Sequence, residues 1–266
     1  MDFTVKKYKE LLRTFINHDY KLMGFKAFLE SQPTGKFIIL RHDVDEQPLN
    51  ALKMAAAEKE MGILSTYYFR RVSKSDNPDV IRQIASMGHE IGYHYEDLSS
   101  SEGDIEKAIA SFTRNLEYFR QYYPVKTACM HGSSSSKFDN REIWKYLNLH
   151  DLGLSGEPYL SCDFKKIFYM TDTGYAWDGG KYAVRDKVDS SFGISFHSTD
   201  QVIETINNGM FPDQAMILAH TLWTDNVSKW LTLHLRESIR NRIKLLTKKS
   251  TLISKLYSKA VTLYWK

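Results

Sequence analysis

Two aspartates one residue apart, in Arg41-His42-Asp43-Val44-Asp45, follow directly on the apolar run Phe37-Ile38-Ile39-Leu40. Such a run reads as a buried strand, and residues leaving the C-terminal end of a parallel strand face the functional mouth of an α/β fold. Carboxylates at i and i+2 share one face of an extended chain. One can hold a cation while the other, kept ionised by that charge, serves as a base. Taken alone, the segment also reads as a helix-capping loop with a salt bridge to Arg41.

A second segment, His89-Glu90-Ile91-Gly92-Tyr93-His94-Tyr95-Glu96, alternates as a strand does. Glu90, Gly92, His94 and Glu96 fall on one face, and His89, Tyr93 and Tyr95 on the other. An imidazole with carboxylates is an ordinary zinc set. Further on, Cys129 and His131 share a face of Lys126-Thr127-Ala128-Cys129-Met130-His131, before Gly132 and four serines. No G-x-S-x-G elbow surrounds those serines, so they read as a solvated loop. His220 ends Met216-Ile217-Leu218-Ala219-His220 and is followed by Trp223, while Asp172 and Trp177 lie in Thr171-Asp172-Thr173-Gly174-Tyr175-Ala176-Trp177. All these groups are expected at one rim.

The elements that must position them recur every 25 to 35 residues. Helical patterns cover about residues 4 to 17 and 21 to 31, and the strand 36 to 40 follows. Pro48 opens a helix that Gly62 can terminate, ahead of a strand in residues 63 to 69. Asn77 and Pro78 open another that ends at Gly88, and the His94 strand comes next. A helix over about 103 to 121 leads to the Cys129 strand. Asn140 is expected to cap a short helix, strands are expected at about 166 to 171 and 192 to 196, Thr199 or Asp200 caps a helix, and Asn226 opens a long one. Alternation of this kind predicts parallel strands joined by right-handed helical crossovers, in a barrel or a doubly wound sheet.

The chain of 266 residues with 42% apolar content can bury a substantial core. No run of eighteen uncharged apolar residues occurs, and the first residues read as an amphipathic helix rather than a signal core, which predicts a cytoplasmic protein. The two cysteines, Cys129 and Cys162, fit a reducing compartment. The net charge of +4 is uneven: residues 234 to 266 hold nine Lys or Arg against Glu237, leaving 27 basic and 31 acidic residues elsewhere. The body therefore lacks a nucleic-acid-binding composition, and no nucleic-acid partner is expected. In the tail, Ile239, Ile243 and Leu246, then Leu252, Leu256 and Leu263, recur at helical spacing. They fit either a stripe packed on the body or peripheral contact with anionic lipid.

With these residues in hand, the chain resembles the NodB-homology polysaccharide deacetylases of the carbohydrate esterase type, in a divergent branch associated with surface-polysaccharide biosynthesis. The likeness covers about residues 36 to 222. It maps the family's base and metal-binding aspartates onto Asp43 and Asp45, its first metal-binding histidine onto His94 of Gly88-His89-Glu90-Ile91-Gly92-Tyr93-His94, and its acidic histidine onto His220. Asp172 to Trp177 loosely resembles the motif whose charge and indole flank the catalytic pair. The family's second metal histidine falls four residues after the first, where this chain has Leu98, and its arginine-and-proline motif appears here as Met130-His131-Gly132. His131 or Glu96 is expected to complete the metal site, His131 being favoured because an adjacent strand end can reach the same point.

The resemblance implies a distorted, incomplete (β/α) barrel; with the helical patterns over 1–35 it is expected to form one domain, residues 1–233, and the charge and apolar spacing beyond it predict a basic helical tail, 234–266. It also implies one divalent ion, most simply Zn2+, and hydrolysis of an N-acetyl or similar amide on a free, nucleotide-linked or lipid-linked sugar. Aromatic content of 13% suits stacking on sugar faces, with Tyr95, Trp177, Trp223 and Asp172 as expected substrate contacts. Two other readings remain at this point: a metal-dependent hydrolase of a non-sugar amide, and a catalytically silent carbohydrate-binding protein.

Overall fold

The computed structural model describes residues 1–132, 136–177, 182 and 188–247. Seven strands in one parallel sheet carry the fold: β1 (Lys21–Met23), β2 (Phe37–Val44), β3 (Thr66–Phe69), β4 (Glu90–Tyr95), β5 (Ala128–Met130), β6 (Phe168–Thr171) and β7 (Gln214–His220). Their order is β5-β4-β3-β2-β7-β6, with β1 paired to β2. The sheet curls into an α/β half-barrel, the distorted incomplete barrel anticipated from the sequence. Its edges β5 and β6 do not pair with each other.

The helices sit where crossover geometry requires. α1 (Val5–Asn17) is capped by the Thr4 hydroxyl, and α2 (Phe25–Ser31) precedes the central strand. α3 (Pro48–Glu60) has Pro at its first turn, and α4 (Pro78–Ser86) is capped by Asn77. The four-residue α5 (Asp97–Ser100) leads into α6 (Ile105–Arg120). α7 (Pro158–Ser161), α8 (Thr199–Asn207) and α9 (Val227–Thr247) follow among the described residues.

Every residue of β2 is buried, because the two faces of this central strand meet different layers. Ile38 and Leu40 pack outward with α1, α8 and β7 residues. Phe37, Ile39, Phe25, Phe164 and Met216 form a separate cluster on the inner face. A third cluster, under α4 and α6, backs β3, β4 and β5. Gly92 lies on the inner face, where a Cβ would meet the Tyr68 ring at 2.3 Å, so glycine there lets that ring fill the interior beside β4.

Several expected boundaries shift. β2 continues through Arg41, His42, Asp43 and Val44, so the first aspartate is a strand residue. Residues 21 to 23 are a strand, held by pairing with β2 rather than by any periodicity of their own. Residues 192 to 196 form no strand. The caps expected at Asn140 and at Thr199 or Asp200 are supplied one residue earlier, by Asp139 and Ser198. α9 crosses residue 234 without a break. Tail residues 248–266 lie outside the described residues, as do Ser133, Ser134 and Ser135.

Candidate metal centre

Strand register assembles the site. Parallel pairing sets Asp43 opposite Tyr68 on β3 and opposite His220 on β7, and sets His94 opposite Cys129 on β5. In-register residues of neighbouring parallel strands point to the same face. Asp43, His94, Cys129 and His220 are therefore delivered to one rim by four strands. His131 stands one pleat beyond Cys129, its backbone N–H bonded to the Tyr95 carbonyl at 2.8 Å.

His94 Nδ1 lies 3.0 Å from the Cys129 carbonyl oxygen. That oxygen can only accept, so the ring proton sits on Nδ1 and Nε2 presents a lone pair. Burial keeps this imidazole below its usual pKa despite Asp43 and Asp45, so it is neutral. Its Nε2 lies 3.5 Å from Asp43 Oδ2 and 3.5 Å from Asp45 Oδ1, while His131 Nε2 lies 3.5 Å from the same Asp45 oxygen. The Asp45 side chain is 23% exposed, yet its Oδ1 is shut off from solvent and accepts no hydrogen bond from the described residues.

The nearest charged donor, Arg70 Nη1, stays 3.8 Å from Asp45 Oδ1, beyond hydrogen-bond reach, so this oxygen and the facing Nε2 of His94 share one small space that a proton or a cation would stabilise. Asp45 cannot supply the proton. Burial alone would raise its pKa, but His131, the Arg70 guanidinium and, whenever its ring carries a proton, His94 outweigh burial and hold it down to about 2. Asp45, His94 and His131 each offer one ligand atom, all within 4.8 Å of one another. Their two imidazole nitrogens and one carboxylate oxygen fit a divalent ion, and a buried acceptor with no donor is what such an ion would satisfy. A second possible set, Asp43, His94 and Cys129, shares His94 with the first.

Glu96 takes a different place. Arg70 grips it with Nη2 at 2.7 and 2.8 Å and Nε at 3.1 Å, and His131 Nδ1 approaches it to 2.9 Å, off the hydrogen-bond axis. Arg70 and His131 hold its carboxyl well below the usual range in spite of burial. Glu96 therefore supports His131 and balances Arg70 rather than facing the Asp45 oxygen.

Arg41 is fully buried, with Nη1 3.0 Å from Asp43 Oδ1 and 2.6 Å from Cys129 Sγ. Its Nη2 donates to the hydroxyls of Tyr159 at 2.7 Å and Tyr169 at 3.3 Å. The salt bridge weighed against a functional role for this segment is present, and it coexists with the cluster. Sequence reasoning gave Arg70 no role. Its signal was a charge placed directly after the buried strand Thr66–Phe69.

On the β7 side, His220 Nδ1 is 2.7 Å from Asp172 Oδ1, and the His220 backbone N–H donates to both oxygens of the same carboxylate at 2.9 and 3.1 Å. The Trp223 indole donates to Asp172 Oδ2 at 2.7 Å. Burial works to lower the His220 pKa, but the Asp172 hydrogen bond and charge, with Asp45 and Asp43 behind them, raise it to about 10. His220 is thus an imidazolium held by Nδ1.

Four expected substrate contacts separate. Asp172 and Trp223 meet at His220 as one unit. Trp177 is buried behind them, its indole donating to Thr199 Oγ1 at 2.9 Å, so the indole on the Asp172 carboxylate is that of Trp223. Tyr95 points to the outer core, fully buried, and bonds Trp144 at 2.8 Å. Its outward position follows from the alternation that sends His94 inward. His42 and His89 likewise face outward, around a buried Glu58 that His42 Nε2 contacts at 2.7 Å.

No family model matches the chain, and no curated protein does. Among solved structures, BA3943, a CE4 family pseudoenzyme from Bacillus anthracis, is 15% identical over 78% of this chain and 62% of its own, with a TM-score of 0.42. A BA3943 mutant with restored enzymatic activity is 14% identical at the same TM-score, and this chain spans 64% of its length. Bacillus subtilis PdaA, a family 4 carbohydrate esterase, is 14% identical over 87% of this chain and 84% of its own, with a TM-score of 0.36.

Proposed function

We propose that the chain is a divalent-metal-dependent hydrolase that removes an N-acetyl or similar acyl group from a sugar. One observation carries the reading. A buried Asp45 oxygen that accepts no hydrogen bond from the described residues meets the Nε2 atoms of His94 and His131 beside a second carboxylate, Asp43, and within the field of a histidine that Asp172 holds protonated. Asp45, His94 and His131 would hold the ion, and zinc suits a set of two imidazoles and one carboxylate. When bound, such an ion polarises an acyl carbonyl and makes water easier to deprotonate.

The chain's own groups then divide the proton transfers. Asp43, steadied by Arg41, takes the proton from the attacking water, since Asp45 is committed to the ion. His220, whose Nδ1 is fixed by Asp172, offers its Nε2 proton to the departing amine, a poor leaving group unless protonated. Trp223 and Asp172 keep the ring oriented, and Glu96 with Arg70 keeps His131 in place.

The sugar is proposed from the resemblance of the Asp43-Val44-Asp45, Gly88 to His94 and Leu218 to His220 segments to those of NodB-homology deacetylases. A nucleotide-linked or lipid-linked precursor of a surface polysaccharide, handled in the cytoplasm, agrees with Cys129 and Cys162 not being joined in a disulfide. Residues 1–233 are proposed as the deacetylase-like domain and 234–266 as its basic extension.

The test is a mass-spectrometric screen of acylated sugars, nucleotide sugars and lipid-linked sugars with zinc-loaded protein. Asp43→Asn and His220→Ala should each lower turnover by a factor of about 10² or more with the metal retained. Hydrolysis of simple amides alone would replace the sugar by another acyl substrate. Sugar binding without turnover would make the chain a silent binding protein.

A further inference from the structure

α9 is amphipathic in the inverse sense. Its polar residues face the body, where Lys229 donates to Asn50 at 2.9 Å, Arg236 pairs with Glu46, Arg240 Nη1 lies 3.6 Å from Glu46 Oε1, and Asn241 donates to the Gly174 carbonyl at 2.7 Å. Its solvent face carries Val227, Leu231, Leu235, Ile239 and Leu246, exposed by 63%, 60%, 62%, 51% and 52%. At 100° per residue these five fall within an arc of about 120°, along a helix about 30 Å long. The other large exposed apolar side chains are dispersed over separate segments. A stripe of this length on a helix whose inner face is already packed is an interaction surface.

Charge selects the occupant. Exposed Arg242 lies within the stripe, and exposed Lys53 flanks Lys229 at its start. Val227 to Thr247 holds five basic residues and one acidic one, and residues 248–266 add five lysines and no acid. A second copy laid along the stripe would bring basic helix against basic helix, and the following segment folded back on it would do the same. An anionic surface with an apolar interior complements both features.

We infer that the solvent face of α9 docks on an anionic lipid bilayer, with Val227, Leu231, Leu235, Ile239 and Leu246 entering the interface and the basic residues meeting headgroups. The same helix grips Glu46, which follows Asp45, and Gly174, two residues beyond Asp172. Docking therefore sets the rim that carries the metal cluster beside the membrane. The inference stands apart from the proposed reaction, because its readout is binding.

The full-length, metal-loaded protein should co-sediment with phosphatidylcholine vesicles containing phosphatidylglycerol and not with phosphatidylcholine alone. The triple variant Leu231→Ser, Leu235→Ser, Ile239→Ser should bind about tenfold more weakly or worse, with unchanged circular dichroism and metal content. Arg242→Glu should weaken binding in the same direction. Equal binding by parent and triple variant would place the contact elsewhere and overturn the inference. So would an absence of vesicle binding, including the case in which the triple substitution turns a dimer into a monomer and so marks the stripe as a self-association face.

Discussion

Replacing Asp172 by Asn tests the acid half of the site, because it keeps the shape of the side chain and removes its charge. In the metal-free protein His220 is raised from 6.5 to about 10, with Asp172 as the leading favourable influence and Asp45 and Asp43 behind it. A displacement of that size corresponds to something on the order of 5 kcal/mol favouring the imidazolium. If Asp172 accounts for about half, the variant should lose about 2 units of pKa and about 2–3 kcal/mol of stability near neutral pH. The sign is fixed by the direction of the shift. A histidine whose folded pKa is raised contributes its full stabilisation below 6.5 and loses it as pH climbs through the folded value. Metal-free parent protein should therefore lose stability from about pH 7 to 10, and Asp172→Asn should be less stable at pH 6 but flatter across that window. Urea unfolding of chelator-treated protein at several pH values measures the slopes, and nitrogen-detected NMR of His220 measures the pKa directly. With the ion bound, a cation nearby lowers the histidine pKa towards the working range, so the alkaline limb of turnover should move to lower pH in the variant, with kcat reduced by about 10² or more. An unchanged His220 pKa in Asp172→Asn would refute the claim that this carboxylate keeps the acid charged.

Two further outcomes follow from the geometry. Asp45→Ala and His131→Ala should each abolish stoichiometric zinc in elemental analysis, whereas Glu96→Gln should retain it with affinity lowered by about 10–100-fold in chelator competition; full zinc in His131→Ala would return the third-ligand role to Glu96. Glu58 accepts from Ser65 at 2.6 Å and Tyr67 at 2.9 Å and also from Tyr8, and it pairs with buried His42. Glu58→Ala should cost about 3–5 kcal/mol by leaving His42 uncompensated, and a loss under about 1 kcal/mol in urea unfolding would show that the network is dispensable.

The parts of the site legible in the sequence are those fixed by local chain geometry. Strand alternation sends His94 inward and Tyr95 outward, and the strand run before Arg41 delivers Asp43 to a rim; neither needs knowledge of another segment. What the sequence hid depends on neighbours. The three-residue strand β1 has no period to detect and exists because β2 offers an edge. Trp177 and Trp223 are indistinguishable by type, and their rings lie 5.9 Å apart, so only the packing decides which indole reaches Asp172.

Leu98 shows why the expected third ligand could not be read four residues beyond His94. The chain leaves β4 into the short helix α5, where Asp97 accepts from Tyr93 at 2.6 Å and Leu98 is buried in the outer core. That helix faces the α6 side, so a histidine at 98 would point away from Asp45. The register between β4 and β5 offers the alternative. It sets Cys129 beside His94, and the next residue of the same face, His131, brings Nε2 within 3.5 Å of the oxygen that lacks a donor. The separation of 37 positions between His94 and His131 is invisible to any local pattern, yet in space their rings stand 5.2 Å apart and nearly perpendicular. In the proposed centre the third ligand therefore comes across a strand pair rather than from the turn after β4, and Glu96, which begins that turn, binds Arg70 and approaches His131 instead.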